Sequence, residues 1–205
     1  MKKIAAVLLL ADLLLALLAG CGGSGMGEEE IRETFRTLVE ASYELNEIYF
    51  GSGLPYEVDL ETMMRLMGIT ADMEEVVVNY MPVTKDAAYQ SEAEIREATK
   101  KVFSDDICSH LFMLGFEGLR TDTDESVSFA RFIEEQGILT VRIDLDEEAL
   151  PMGRTYDFSR MEILIEEPER IRASFPSLLD GKAAETVRIT IIKTADGWRL
   201  DSPTY

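Results

Sequence analysis

The sequence predicts an α+β domain in which N-terminal helices pack in a curved antiparallel sheet. Three observations predict it. Apolar residues recur at helical spacing from residue 31 to about 115, and from Phe129 onward they alternate with polar ones at a period of two. The helical segments come first and the strands after, which is the segregation of an α+β domain and not the alternation of a βαβ chain. The alternating strands present one apolar face, and the helices are expected to cover it.

Glu28-Glu29-Glu30 sets negative charge at a helix start, where the dipole favours it. Ile31, Phe35, Leu38, Leu45 and Tyr49 then define an amphipathic helix of about 22 residues, ended by Gly51-Ser52-Gly53-Leu54-Pro55. Leu60, Met63, Met64 and Met67 indicate a short helix ending near Gly68. The β-branched segment from Glu75 to Val83 contains Pro82 and reads as extended chain at a sheet edge. Ser91 followed by Glu94 is a capping box, and Ile95, Ala98 and Val102 form the buried stripe of the helix it opens. Ser104-Asp105-Asp106 is a second helix start, continued by Ile107, Leu111 and Leu114 to about Gly115.

Four to six strands are expected after that. Leu139, Val141, Ile143 and Leu145 mark one; Met161, Ile163 and Ile165 another; Val187, Ile189 and Ile191 a third. Gln136-Gly137 is expected to turn the first hairpin, and Ala195-Asp196-Gly197 the last, into Trp198-Arg199-Leu200.

The chain starts with Met1-Lys2-Lys3, an apolar run from Ile4 to Ala19, and Leu18-Ala19-Gly20-Cys21. This order is that of a secretory signal. The cysteine after small residues resembles the lipobox of bacterial lipoproteins. That resemblance implies cleavage after residue 20, a diacylglycerol on the Cys21 sulfur, and an acyl chain such as palmitate on its amine. Two alternatives are an ordinary signal peptide cut near Gly20 and an uncleaved anchor. The run holds 16 residues and includes Asp12, where a spanning helix wants about 20 apolar ones. Two acyl chains give stable attachment where one is marginal. The expected location is therefore extracytoplasmic, lipid-anchored to the bacterial cell membrane. The signal suits a monoderm surface and a diderm periplasm alike, although Gly22 lacks the aspartate that marks inner-membrane retention in some diderms.

Residues 21–27 then read as the lipidated cysteine and a Gly-rich tether, which reaches only about 15 Å. Residues 28–205 read as a single domain with no internal repeat and no second linker. Without residues 1–20 the chain holds 18 basic and 38 acidic residues, a net charge of −20. That charge disfavours nucleic acid and anionic lipid surfaces and permits a cationic partner; the bland reading is a solvated acidic surface. Once Cys21 is lipidated, Cys108 is the remaining thiol, so no internal disulfide is expected. No residue pattern speaks to oligomeric state.

Three helices followed by this sheet resemble the nuclear transport factor 2-like (SnoaL-like) cone fold, in which a long curved sheet wraps around helices and leaves a pocket. The ending Asp196-Gly197-Trp198-Arg199-Leu200-Asp201-Ser202-Pro203 is similar to the final strand of many exported members. In that reading Gly197 supplies a left-handed turn position and Trp198 a large core plug. Within that group the chain resembles the extracytoplasmic inhibitors of D,L-endopeptidases, which restrain cell-wall autolysins. The similar parts are Asn79-Tyr80-Met81-Pro82-Val83, the capped helix from Ser91, Val102-Phe103-Ser104-Asp105, a strand starting at Gly137 and the Gly197-Trp198-Arg199 ending. No active-site-plugging loop carries over.

Catalytic chemistry is sparse, and no catalytic residue, metal site or cofactor is expected. His110 is the chain's one histidine. It sits two residues from Cys108, and residues so spaced on a helix do not face each other. That argues against a Cys–His nucleophile pair and a shared metal site. No Gly-x-Ser-x-Gly elbow or phosphate-binding glycine loop is present. Asp122, Asp124 and Glu125 resemble the opening of a calcium loop, but the sixth position is Val127 where an EF-hand needs glycine. Asp105-Asp106, Asp144 with Asp146, and Glu166-Glu167 are too ordinary in so acidic a chain to mark a site, and Asp144 is expected to point away from the apolar face. Met63, Met64, Met67, Met73 and Met81 are expected to fill an irregular core rather than form a binding surface.

Three functions compete. The first is a binding module for a cationic envelope protein, an autolysin-type hydrolase in its sharpest form. The second is a small-molecule binder using an apolar cone pocket lined by Tyr43, Tyr49, Met64 and Phe112. The third, ranked last, is a SnoaL-like enzyme acting through one pocket carboxylate.

Overall fold

The computed structural model describes residues 25–57, 80–118, 130–143 and 153–205. Its elements run α1 (Glu28–Phe50), β1 (Tyr80–Pro82), α2 (Glu92–Val102), α3 (Asp105–Phe112), a π-helical turn (Met113–Glu117), β2 (Phe132–Glu135), β3 (Ile138–Arg142), β4 (Arg154–Tyr156), a 3₁₀ turn (Phe158–Arg160), β5 (Glu162–Glu167), β6 (Arg170–Phe175), β7 (Ser177–Leu179), β8 (Lys182–Ala183), β9 (Val187–Thr194) and β10 (Gly197–Leu200). All strand pairs in the sheets are antiparallel. The protein is thus an α+β chain. Cys21, Met63, Met64, Met67, Met73, Asp122, Asp124, Glu125, Asp144 and Asp146 lie outside the described residues, as does the short helix expected before Gly68.

α1 forms where its apolar spacing requires. Ile31, Phe35, Leu38, Val39, Leu45, Ile48 and Tyr49 are buried along one face, and three glutamates occupy its first turn. Gly51 ends it by bonding back to the carbonyls of Asn46 and Glu47. Ser91 caps α2 by accepting from the Glu94 amide at 3.3 Å. The Glu94 carboxylate returns not to Ser91 but to the Gln90 amide, at 2.7 Å. Ser104 caps α3, accepting from the Ile107 amide, and also donates to Asp201 Oδ1 at 2.8 Å. One side chain therefore starts a helix and ties it to the residue after β10.

Where a single curved sheet of four to six strands is expected, the described strands form three sheets, in the orders β1-β3-β2, β10-β9-β6-β5 and β4-β7-β8. Pro176 explains one division. It lies between β6 and β7 and has no amide hydrogen, so the continuous strand bends there and exchanges the partners β5 and β9 for β4 and β8. Pro82 sits on the edge strand β1, where a missing amide costs no ladder bond. The first hairpin is as expected: Gln136 and Gly137 both have positive φ, as a two-residue primed turn requires.

The four-stranded sheet turns Ile171, Ala173 and Phe175 of β6, Ile189 and Ile191 of β9, and Leu200 of β10 into the core, all at most 2 % exposed. Cross-strand partners Ile171–Ile191 and Ala173–Ile189 share that face. α1 covers it, with Phe35 edge-on to Phe175 at 5.2 Å. Buried residues from all three helices and from strands of all three sheets join one hydrophobic cluster.

Three expected positions differ. The alternation of β5 breaks at a bulge between Ile163 and Ile165, so Leu164 and Ile165 are exposed on this sheet edge. α3 does not continue regularly to Gly115; it widens into the π-helical turn, and Leu114 rotates out to 37 % exposure. That turn brings Gly115 against Tyr49, where a Cβ would stand 2.8 Å from the ring, so only glycine fits without displacing it. Finally, Trp198 is half-buried and not a core plug; Leu200, at 0 % exposure, fills that role.

Candidate functional site

Of the four residues expected to line a pocket, Met64 lies outside the described residues, and Tyr43, Tyr49 and Phe112 are placed in or against the core. Tyr49 and Phe112 come together, but as packing: both contact the Phe116 ring, at 6.3 and 6.2 Å. Thr99 donates its hydroxyl to the Ile95 carbonyl, so Tyr49 is the donor in the 3.0 Å bond to Thr99 Oγ1. Burial raises the Tyr49 phenol above its ordinary pKa. Arg96 stacks over Phe112 and Phe116, with its guanidinium 4.4 and 4.6 Å from the ring centres. Tyr43 is half-buried against the core, its pKa raised by burial and then by Glu40.

The described surface instead carries two concavities that sequence reading misses. The first is an open groove of about 580 Å³ between the opening turns of α1 and the start of β10, lined by Glu29, Glu30, Glu33, Thr34, Thr37, Leu38 and Trp198. Its geometry follows from the last hairpin. Ala195 and Asp196 have ordinary φ while Gly197 has φ of 112°, a turn that sets Trp198 opposite Lys193 at the end of the ladder. Trp198 shares the inward face with Leu200 and packs, half-buried, at the edge of the core, where it lines the groove together with α1. Glu29 and Glu33 pair with Arg32 and Arg36 on the same helix. Glu30 pairs with no cation among the described residues. Such exposed pairs are weak, so the groove stays acidic.

The second concavity is a more enclosed pocket of about 370 Å³, bounded by α1, α3, the start of the π-helical turn and the segment after β10. Phe50, Ile107, Leu111 and Leu114 line it with Pro203 and Tyr205, while Asn46 and His110 contribute polar edges. A buried polar chain holds its wall in place. Ser42 donates to the Val39 carbonyl at 2.7 Å, so the 2.6 Å contact with Thr204 has the Thr204 hydroxyl as donor. Asn46 Nδ2 donates to Thr204 Oγ1 at 2.9 Å, and Tyr156 donates to the Thr204 carbonyl at 2.8 Å.

His110 and Cys108 point to different sides of α3, as their spacing requires. His110 is exposed, with Nδ1 2.8 Å from the Asp106 carbonyl. Cys108 is buried, and burial, then Asp105, pushes its thiol up to about 11. Thiolate is the reactive form, so a thiol raised this far reacts slowly at pH 8. The Cys108 peptide should therefore stay unmodified by iodoacetamide at pH 8 over a period that fully labels it in urea. Rapid native labelling, read by mass spectrometry, would refute this.

Among the described residues no group of three His, Cys, Asp or Glu side chains could hold a metal ion, and no helix is long and apolar enough to cross a membrane. Asp105 and Asp106 serve as first-turn acids of α3; Glu166 and Glu167 are exposed on edge strand β5.

No protein-family model matches the chain, and no curated protein matches it. The functional reading therefore stands on the residues themselves.

Proposed function

We propose that this chain is a lipid-anchored extracytoplasmic binding module of the bacterial envelope that docks a cationic protein, a cell-wall hydrolase in the sharpest case. The observation that carries this reading is the groove where Trp198 lies beside Glu29, Glu30 and Glu33. An indole flanked by carboxylates suits a basic, partly apolar surface: the ring supplies contact area and a face for Lys or Arg, and the acids steer the approach. The groove begins eight residues after Cys21, so a docked partner would sit within about 15 Å of the bilayer. The finer fold in this proposal is the cone-like, nuclear transport factor 2-like arrangement, supported by the bend at Pro176 and by α1 lying across the sheet's apolar face.

The test is capture from envelope extract by the full-length lipidated protein, at low and at high salt. A basic wall hydrolase should be retained at low salt and released at high salt. Trp198→Ala should weaken its binding by roughly 30-fold, about 2 kcal/mol. Glu→Gln at 29, 30 and 33 should slow association and flatten the salt dependence. Retention indifferent both to salt and to Trp198 would refute the proposal. A small-molecule role is favoured by a separate observation, the pocket beneath Tyr205.

A further inference from the structure

We infer that the pocket between α1, α3 and the 203–205 segment binds a small neutral aromatic or aliphatic alcohol. Its volume of about 370 Å³ falls in the range of small-ligand sites, about 300–1,000 Å³. The wall is pre-formed. Thr204, 1 % exposed, is fixed by Ser42, Asn46 and Tyr156, which leaves Pro203 and Tyr205 standing on either side of it. The Tyr205 ring lies tilted by 34° against Phe50 at 4.1 Å between centroids, which gives an apolar ligand an aromatic wall to pack on.

The polar groups select the ligand's head. A carbonyl only accepts hydrogen bonds, so His110 Nδ1, held on the Asp106 carbonyl, carries the ring proton. With Nδ1 so engaged, Nε2 is left to pair with a ligand, and a hydroxyl, which can both donate and accept, suits it. Among the described residues no Asp, Glu, Lys or Arg lines the pocket, so an ammonium finds no carboxylate there and a carboxylate no Lys or Arg. The chain's charge of −19 further opposes an anion. Phe50, Ile107, Leu111 and Leu114 accept the apolar body.

His110 is the single histidine of the chain, so in the untagged full-length protein its imidazole NMR signal reports on this pocket alone. Titration with 1-naphthol in a deuterated neutral detergent should shift that signal and saturate. The anion 1-naphthoate should bind about tenfold more weakly. Leu114→Trp, which fills the pocket from an exposed position, should abolish the shift, and the milder Leu114→Phe should weaken it. Trp198→Ala should leave it unchanged, which separates this site from the proposed protein-docking groove. The inference is overturned if 1-naphthol gives no saturable shift, if the shift survives both Leu114 variants, or if naphthoate binds as well.

Discussion

Phe175→Ala should be among the most destabilising single substitutions in this protein, at about 3–5 kcal/mol. Phe175 is fully buried at the end of β6. Its ring meets Phe35 at 5.2 Å, Phe158 at 5.6 Å and Tyr156 at 6.0 Å, each edge-on. It therefore joins α1, the 3₁₀ turn and β4 at the point where Pro176 bends the strand. Truncation leaves a cavity among rings that cannot collapse, because the adjacent backbone is held by β9 on one side and Pro176 on the other. Domains of this size unfold with only about 5–15 kcal/mol, so roughly a fifth or more of the stability is at stake. Urea denaturation should show a large fall in midpoint with an unchanged slope. Leu164→Ala, on the exposed edge strand, is the control and should stay within about 0.5 kcal/mol. A Phe175→Ala cost below about 1 kcal/mol would show that this aromatic junction is not central to the fold.

Thr204→Val should cost about 2–3 kcal/mol, although valine has nearly the same shape and the residue lies outside any helix or strand. The loss is chemical. The polar chain runs from Asn46 through Thr204 to Ser42 and on to the Val39 carbonyl. Removing one hydroxyl leaves a buried amide donor and a buried hydroxyl acceptor unpaired, and each costs about 1–3 kcal/mol before relaxation. Thr204→Ser keeps the hydroxyl and should cost under about 1.5 kcal/mol. Because Thr204 positions Pro203 and Tyr205, the valine variant should also reduce the response of the His110 signal to 1-naphthol, whereas serine should preserve it. Equal stability of the two variants would show that the network contributes nothing beyond packing.

Much of the architecture was legible because it rests on local rules. The 23-residue helix α1 follows from its apolar stripe and glycine stop. The caps at Ser91 and Ser104 follow from side-chain oxygens placed before first-turn acids. Gln136-Gly137 reads as a primed turn, and the Asp180-Gly181 pair between β7 and β8 carries the same signal in its positive φ values, though sequence reading leaves it unassigned. What failed did so where distant contacts decide. The β5 bulge depends on how β6 pairs with it. The π-helical turn depends on Gly115 meeting the Tyr49 ring. Tyr49 and Phe112 are large and apolar in any setting, and their shared packing on Phe116 is a tertiary contact that spacing does not record.

The sequence by itself determined the α+β class, the helix starts at Glu28, Ser91 and Ser104, the glycine stop of α1, the turn at Gln136-Gly137 and the separation of Cys108 from His110 around a helix. Each is settled within a few residues by hydrogen-bond geometry or periodicity. Only the tertiary structure decided where surface is left open. Trp198 faces the same side as Leu200, yet one borders an acidic groove beside the opening turns of α1 and the other is sealed in the core. Thr204 is polar and lies outside the helices and strands, yet it is buried because residues 42, 46 and 156, more than 40 positions away, supply its partners. Concavities and buried polar networks are properties of what meets across the fold, and spacing along a chain carries no record of that.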